Sequence, residues 1–276
     1  MGDNNLKFKS KNLKLTRIGY YFRVWFLMNK NSFMVYLNNR AILGVLLFGK
    51  VLRFIFFIGF LYFLVSGADS LAGYTPRETL FFFLTFSLVD VVSQFLFREV
   101  YRFRGYVVSG DLDLILVKPF NPLFRVLFGG ADIIDLITLP PLILALWHVG
   151  SGILVGGVQT LFYLALLVNG VLIAAAFHIA VLALGIITLE VDHTIMIFRD
   201  LTKLGTVPID IYKEPVRSFL TFLVPIGLMV SFPVKAYLGL LSPGGVFLTA
   251  LSGILSLALA MRFWKLALTK YSSASS

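Results

Sequence analysis

Apolar residues in this chain come in long runs, and the polar residues are gathered between them. A helix that crosses a membrane needs roughly 17 to 25 mostly apolar residues, at about 1.5 Å each, to cover about 30 Å of hydrocarbon. Six stretches are read as spans: Ala41–Ser66, Glu78–Phe97, Val126–Val149, Val155–Leu189, Ser218–Phe232 and Val246–Trp264. The third carries Pro140 and Pro141, which remove two backbone donors, so it is expected to kink or break near Thr138. The fourth is too long for one perpendicular crossing and too short for two, and reads as a single tilted or kinked helix bent at Asn169 and Gly170. Pro225 interrupts the fifth.

Ahead of the first span, Leu13–Arg40 mixes Tyr20, Tyr21, Phe22, Trp25, Phe26 and Phe33 with Arg17, Arg23, Lys30 and Arg40. It is too polar to cross. An amphipathic helix lying on the cytoplasmic interface fits, with rings at headgroup level and bases toward anionic lipid. The expected fold is an all-α integral membrane protein of six transmembrane helices preceded by this interfacial helix. Residues 1–40 form a basic tail and the interfacial helix, 41–268 the transmembrane domain with a polar segment at 98–125, and 269–276 a second tail. No internal repeat is visible, which argues against the inverted repeats of many secondary transporters.

Composition supports the membrane reading. Of 276 residues, 58% are hydrophobic and 14% charged, with a mean hydropathy of +0.89, whereas a soluble domain is about 25% charged. The net charge of +10 does not indicate nucleic acid, because the bases flank apolar runs rather than lining one polar face. With both termini inside, twenty of the 24 Lys and Arg fall on the cytoplasmic side, in 1–40, 98–125, 190–217 and the C-terminal segment. Arg77 and Lys235 alone lie on the opposite face, and the expected location is a cytoplasmic membrane of prokaryotic type. The absence of cysteine excludes disulfides, thiolate metal sites and S-acylation. Met1–Lys14 is basic and polar, without the apolar core of a signal peptide.

Catalytic motifs fail on inspection. Gly44–Lys50 (GVLLFGK) matches the front of a phosphate-binding loop, but Val51 stands where the Mg²⁺-binding hydroxyl belongs and no strand precedes it. His148, His178 and His193 lack the spacing of a metal or haem site, so no metal, no cofactor and no catalytic residue is expected. Charges inside the spans are more informative, since each costs about 2.5 to 3.5 kcal/mol near a helix centre. Lys50, Arg53, Asp90, Asp132 and Asp135 are all expected about 10 to 18 Å deep. They read as an ion-pair layer joining the first three spans, with Gln94 as a polar neighbour, Asp132 as the partner of Lys50 and Asp90 as the alternative.

The polar segment Arg98–Phe124 reads REVYRFRGYVVSGDLDLILVKPFNPLF. Gly110 is placed to end a helix, and Pro119 and Pro122 fix an extended exit. Leu112, Leu114 and Leu116 alternate with polar or apolar neighbours in a loop that hydropathy puts in water, where exposed leucines call for a partner. Ser109, Gly110, Leu112, Asp113, Leu116, Lys118, Pro119, Asn121, Pro122, Leu123 and Phe124 follow a cytoplasmic signature of the form S-G-x-L-D-x-x-L-x-K-P-x-N-P-L-F. On these residues the chain resembles the ABC-2 family of transporter permeases. Weaker similarity continues at Pro208, Ile209, Ile211, Tyr212, Pro225 and Pro233, while Lys213–Arg217 departs from the pattern.

The resemblance implies an export permease of six helices whose loop between the second and third spans couples to a separate ATPase subunit. ATP would be bound by that partner, and a second permease subunit, identical or different, would complete the assembly. Asp113, Leu114 and Lys118 would then belong to the coupling contact. The alternatives are a non-transporting membrane scaffold or an ion-coupled secondary transporter. An apolar lining does not identify the substrate.

Overall fold

Where apolar runs are free of breakers they fold as helices, and capping residues set where these start. The computed structural model describes residues 17–38, 40–66, 70–188 and 191–271. The basic tail 1–14 and most of the tail 269–276 lie outside them. Helix α1 (Arg17–Leu37) is followed by α2 (Arg40–Ser66) and α3 (Pro76–Phe97). A capping box starts α3: Thr75 accepts from the Glu78 N–H, and Glu78 accepts from the Thr75 N–H. Between them Leu71 and Tyr74 pair across a two-residue turn, Ala72 and Gly73, both at positive φ.

After α3 come a 3₁₀ turn (Arg98–Arg102) and three short helices, α4 (Phe103–Val108), α5 (Asp111–Leu116) and α6 (Pro122–Phe128). Then follow α7 (Ile133–Ser151), α8 (Gly157–Thr188), α9 (Val191–Thr202) and, at the C-terminus, α10 (Pro243–Thr269). Among the described residues, five helices, α2, α3, α7, α8 and α10, are long and apolar enough to cross a membrane, and the bent pair Val216–Leu223 and Gly227–Tyr237 would make a sixth if taken as one span. The GVLLFGK match lies inside the continuous α2 and forms no loop.

Three expectations need correction. The apolar run Val126–Val149 is two helices, because Gly129 ends α6 and Asp132 caps α7 by accepting from the Ile134 N–H at 2.9 Å. Asp132 and Asp135 therefore stand at the mouth of a helix, not 10 to 18 Å inside one. Second, α7 runs unbroken past Pro140 and Pro141. Of the kink or break expected near Thr138, the break is absent.

The third correction concerns the fifth span. Val216–Leu223 and Gly227–Tyr237 are two helical arms bent by 75° about Pro225. Arg217 on the first arm and Lys235 on the second both pair with the Asp210 carboxylate, at 3.1 and 2.8 Å. The two ends of this hairpin thus lie at one end of the bundle, and the hairpin does not traverse it. What traverses the bundle is 191–211. It starts where Asp192 meets Arg104 (3.0 Å) and ends where Asp210 meets the Tyr74 hydroxyl (2.9 Å). Residues 190–217 therefore do not stay on one side, as their charge had suggested.

Packing joins the two ends. One continuous apolar cluster runs from Leu112 and Ile115 in α5, through Phe103, Ile179 and Leu182, to Met229 and Val230 in the hairpin. Midway, Gly170 of α8 lies against the Met229 carbonyl and Gly253 of α10 against Asn169, whose amide donates to the Thr249 carbonyl at 2.9 Å. Small residues let the backbones approach, as they do between membrane helices. Asn169 and Gly170, read as a bend point, form this contact within a continuous helix.

Candidate functional site

The charged residues of the sequence reading converge on a cleft of about 610 Å³ between α2, α3, the start of α7 and α9. Lys50 and Arg53 enter from α2 and Asp90 from α3, while Arg98, Asp132 and Asp135 stand at the mouth. From the other wall come Arg199 and Lys203, whose flanking charge predicts a cytoplasmic loop. Apolar side chains, Leu46, Phe54, Phe83, Phe86 and Ile134, complete the lining.

Lys50 pairs with Asp135 and not with Asp132, its expected partner. Asp132 spends one oxygen on the α7 cap and lies 3.8 Å from Arg98. Asp90 makes no ion pair within contact distance among the described residues, and Arg53, Lys50 and Arg199 act on it electrostatically from further off. The layer is thus two pairs at the mouth and a looser charged group further in. Gln94, below Asp90, donates to the Tyr101 hydroxyl at 2.9 Å and accepts from Arg98 at 3.2 Å.

Asp135 is almost fully buried, so removing its cation strands a carboxylate. Lys50→Leu is expected to destabilise the chain by about 3 kcal/mol in detergent melts. Asp135→Asn in that background should recover part of the loss, and Asp132→Asn should not, because only the first removes the stranded charge.

The second candidate region is the segment after α3. Gly110 adopts φ +78° and starts α5, and Ser109 donates to the Asp111 carboxylate at 2.7 Å. Because 111–116 is a helix, its side chains alternate with a period near 3.6 and not 2. Leu112 and Ile115 are buried, Leu116 is half-buried, and Leu114 is 60% exposed. Of the three leucines expected to be exposed, only Leu114 is, and Val108 and Val117, on either side of it in sequence, are exposed as well. Asp111, Lys118, Pro119 and Asn121 are exposed beside it. Asn121 caps α6 by accepting from the Phe124 N–H (3.3 Å), with Pro122 in the first turn. Asp113 faces Tyr271, whose phenol burial and that carboxylate push up.

Sequence reasoning missed Glu99. It is buried, accepts from Arg125 (2.6 Å), Arg102 (2.9 Å) and Tyr106 (2.5 Å), and so ties the 3₁₀ turn, α4 and α6 together. Burial and this carboxylate push the Tyr106 phenol up. A glutamate among arginines reads as a solvated surface charge, and only three-dimensional contact reveals it as a hub. At the other end, burial and Asp210 likewise push the Tyr74 phenol up. Buried His178 bonds the Ala174 carbonyl through Nδ1 (2.8 Å) and packs between Phe97 and Phe198.

No curated protein and no solved structure matches the chain. A protein-family model described as ABC-2 family transporter protein matches residues 50–275, which include the cleft, the α4–α6 segment and the hairpin. With several helices long and apolar enough to span a bilayer, the chain is a multi-pass membrane protein and belongs to the ABC-2 transporter family.

Proposed function

We propose that this chain is the permease subunit of an ATP-driven export system whose ATPase is a separate subunit docking on α5, with a second permease subunit, identical or different, completing the assembly. The observation that carries the reading is the build of α5 within a member of this family: Leu112 and Ile115 anchor it in the bundle while Leu114, Val108 and Val117 face outward. Exposed apolar residues beside Asp111 and Lys118 suit a protein contact with a polar rim. Allosteric coupling needs such a contact to differ between two states of the complex.

In this reading the membrane is crossed six times, by α2, α3, α7, α8, residues 191–211 and α10. Both termini are cytoplasmic, α1 lies on the inner interface, and the hairpin enters the membrane from outside and returns. Cysteines introduced singly into this cysteine-free chain test the topology. An impermeant thiol reagent applied to intact cells should label Ser70→Cys and Lys213→Cys and spare Val108→Cys. Labelling at Val108→Cys with Lys213→Cys protected would invert the orientation. Co-purification of an ATPase, with ATP-dependent transport by the reconstituted complex, tests the permease assignment itself; a chain that purifies without an ATPase would favour the scaffold alternative.

A further inference from the structure

The charges of the cleft do not cancel. Lys50 is taken by Asp135, Arg98 stands by Asp132, and Lys203 pairs with Asp200 at 2.6 Å. Arg53 and Arg199 remain: among the described residues, no carboxylate lies within ion-pair distance of either, both act electrostatically on Asp90 from further off, and Arg199 also acts on its exposed neighbour Asp200. They approach from opposite walls, α2 and α9.

Their depth makes this arrangement costly. Gly205, six residues after Arg199, packs against Phe86, and Phe86 is at the middle of α3. The charged face of α9 and the turn after it, Arg199, Asp200 and Lys203, is nonetheless exposed. In the six-crossing reading this face cannot meet lipid, since each ionised side chain there costs about 2.5 to 3.5 kcal/mol. It has to face water or a counter-charge. The cleft is larger than an inorganic anion requires and sits within the about 300 to 1,000 Å³ of small-molecule sites. Phe54, Phe83 and Phe86 give it an apolar wall directly beside the two guanidinium groups.

We propose that this cleft binds an anionic amphiphile, with the acidic headgroup between Arg53 and Arg199 and the apolar body against Phe54, Phe83 and Phe86. Guanidinium groups recognise carboxylate and phosphate by charge-assisted hydrogen bonds in a fixed geometry. As a reading of the transported substrate this rests on the permease assignment; as a binding site it does not.

The test uses the full-length chain in dodecyl maltoside, with dodecyl phosphate as the ligand and native mass spectrometry as the readout. One saturable adduct is expected. R53Q and R199Q should each weaken it by about tenfold or more, R53K should weaken it less, and R262Q, on the exposed face of α10, should leave it unchanged. Should R199Q fail to fold, R53Q and R53K on the exposed Arg53 carry the test. Equal binding of dodecyltrimethylammonium would overturn the proposal, as would equal affinity for inorganic phosphate or an adduct indifferent to R53Q. An adduct that forms in a chain without ATP-driven transport would overturn the permease reading and leave the site standing.

Discussion

Replacing Leu114 with Arg is expected to abolish ATP-driven transport while leaving the melting temperature of the chain unchanged. The residue is 60% exposed, so a charged side chain there reaches water and leaves the core intact. The core contacts of α5 belong to Leu112 and Ile115. In the proposed complex, however, Leu114 is the apolar centre of the contact, with Val108 and Val117 exposed on either side of it in sequence. Central interface residues cost about 2 kcal/mol or more when lost, roughly thirtyfold in affinity, and a buried unpaired cation adds to that. Loss of the co-purifying ATPase with an unchanged melt would support the contact. Normal transport by Leu114→Arg would show that α5 is only a connector.

Glu99→Gln is expected to destabilise the chain about as much as Lys50→Leu. Its carboxylate is 2% exposed and neutralises two arginines while accepting from the Tyr106 hydroxyl. Removing one partner of a buried ionic group costs about 3 to 5 kcal/mol, because the opposite charges are left behind. Arg102 and Arg125 are 46% and 30% exposed, so water relieves part of that cost and the loss should fall near the lower bound. Tyr106→Phe, which removes one neutral donor, should cost about 1 kcal/mol. Thermal melts of the three proteins check the order. A Glu99→Gln variant as stable as Tyr106→Phe would mean that the hub is neutral or solvated.

Hydropathy exposed most of the architecture, because helices that meet lipid must be apolar on nearly every face and so cannot hide in a sequence. It misplaced the two elements for which another surface substitutes for lipid. Residues 191–211 traverse the bundle carrying Arg199 and Lys203 because those side chains line a cleft, with Asp200 paired to Lys203 on the exposed side. In the six-crossing reading the more apolar Ser218–Phe232 only enters and returns; Leu220 and Ile226 are almost wholly enclosed, while Phe222 and Leu223 face outward. The start of α7 was legible in Gly129, Gly130 and Asp132, whose breaking and capping signals were outweighed by the apolar Val126–Phe128. The charged layer was legible as a set of residues but not as pairs, since the choice of Asp135 over Asp132 depends on which one caps the helix. The α5 segment was found by its motif, while its exposed face needed the helix to be seen.

The length of α8 has a mechanical consequence. Its 32 residues at about 1.5 Å each make a rod of about 48 Å, some 18 Å longer than the hydrocarbon it crosses. One end is embedded in the core that holds α5, and Gly170 near the other half is locked to the hairpin through Met229. A rigid rod held near its middle behaves as a lever about that point: a tilt of about 5° would move the Gly157 end, about 20 Å away, by about 2 Å. A small push on α5 would thereby reach the far mouth of the bundle as a shift of about 2 Å, about a methyl group's radius, carried by the rod as a whole.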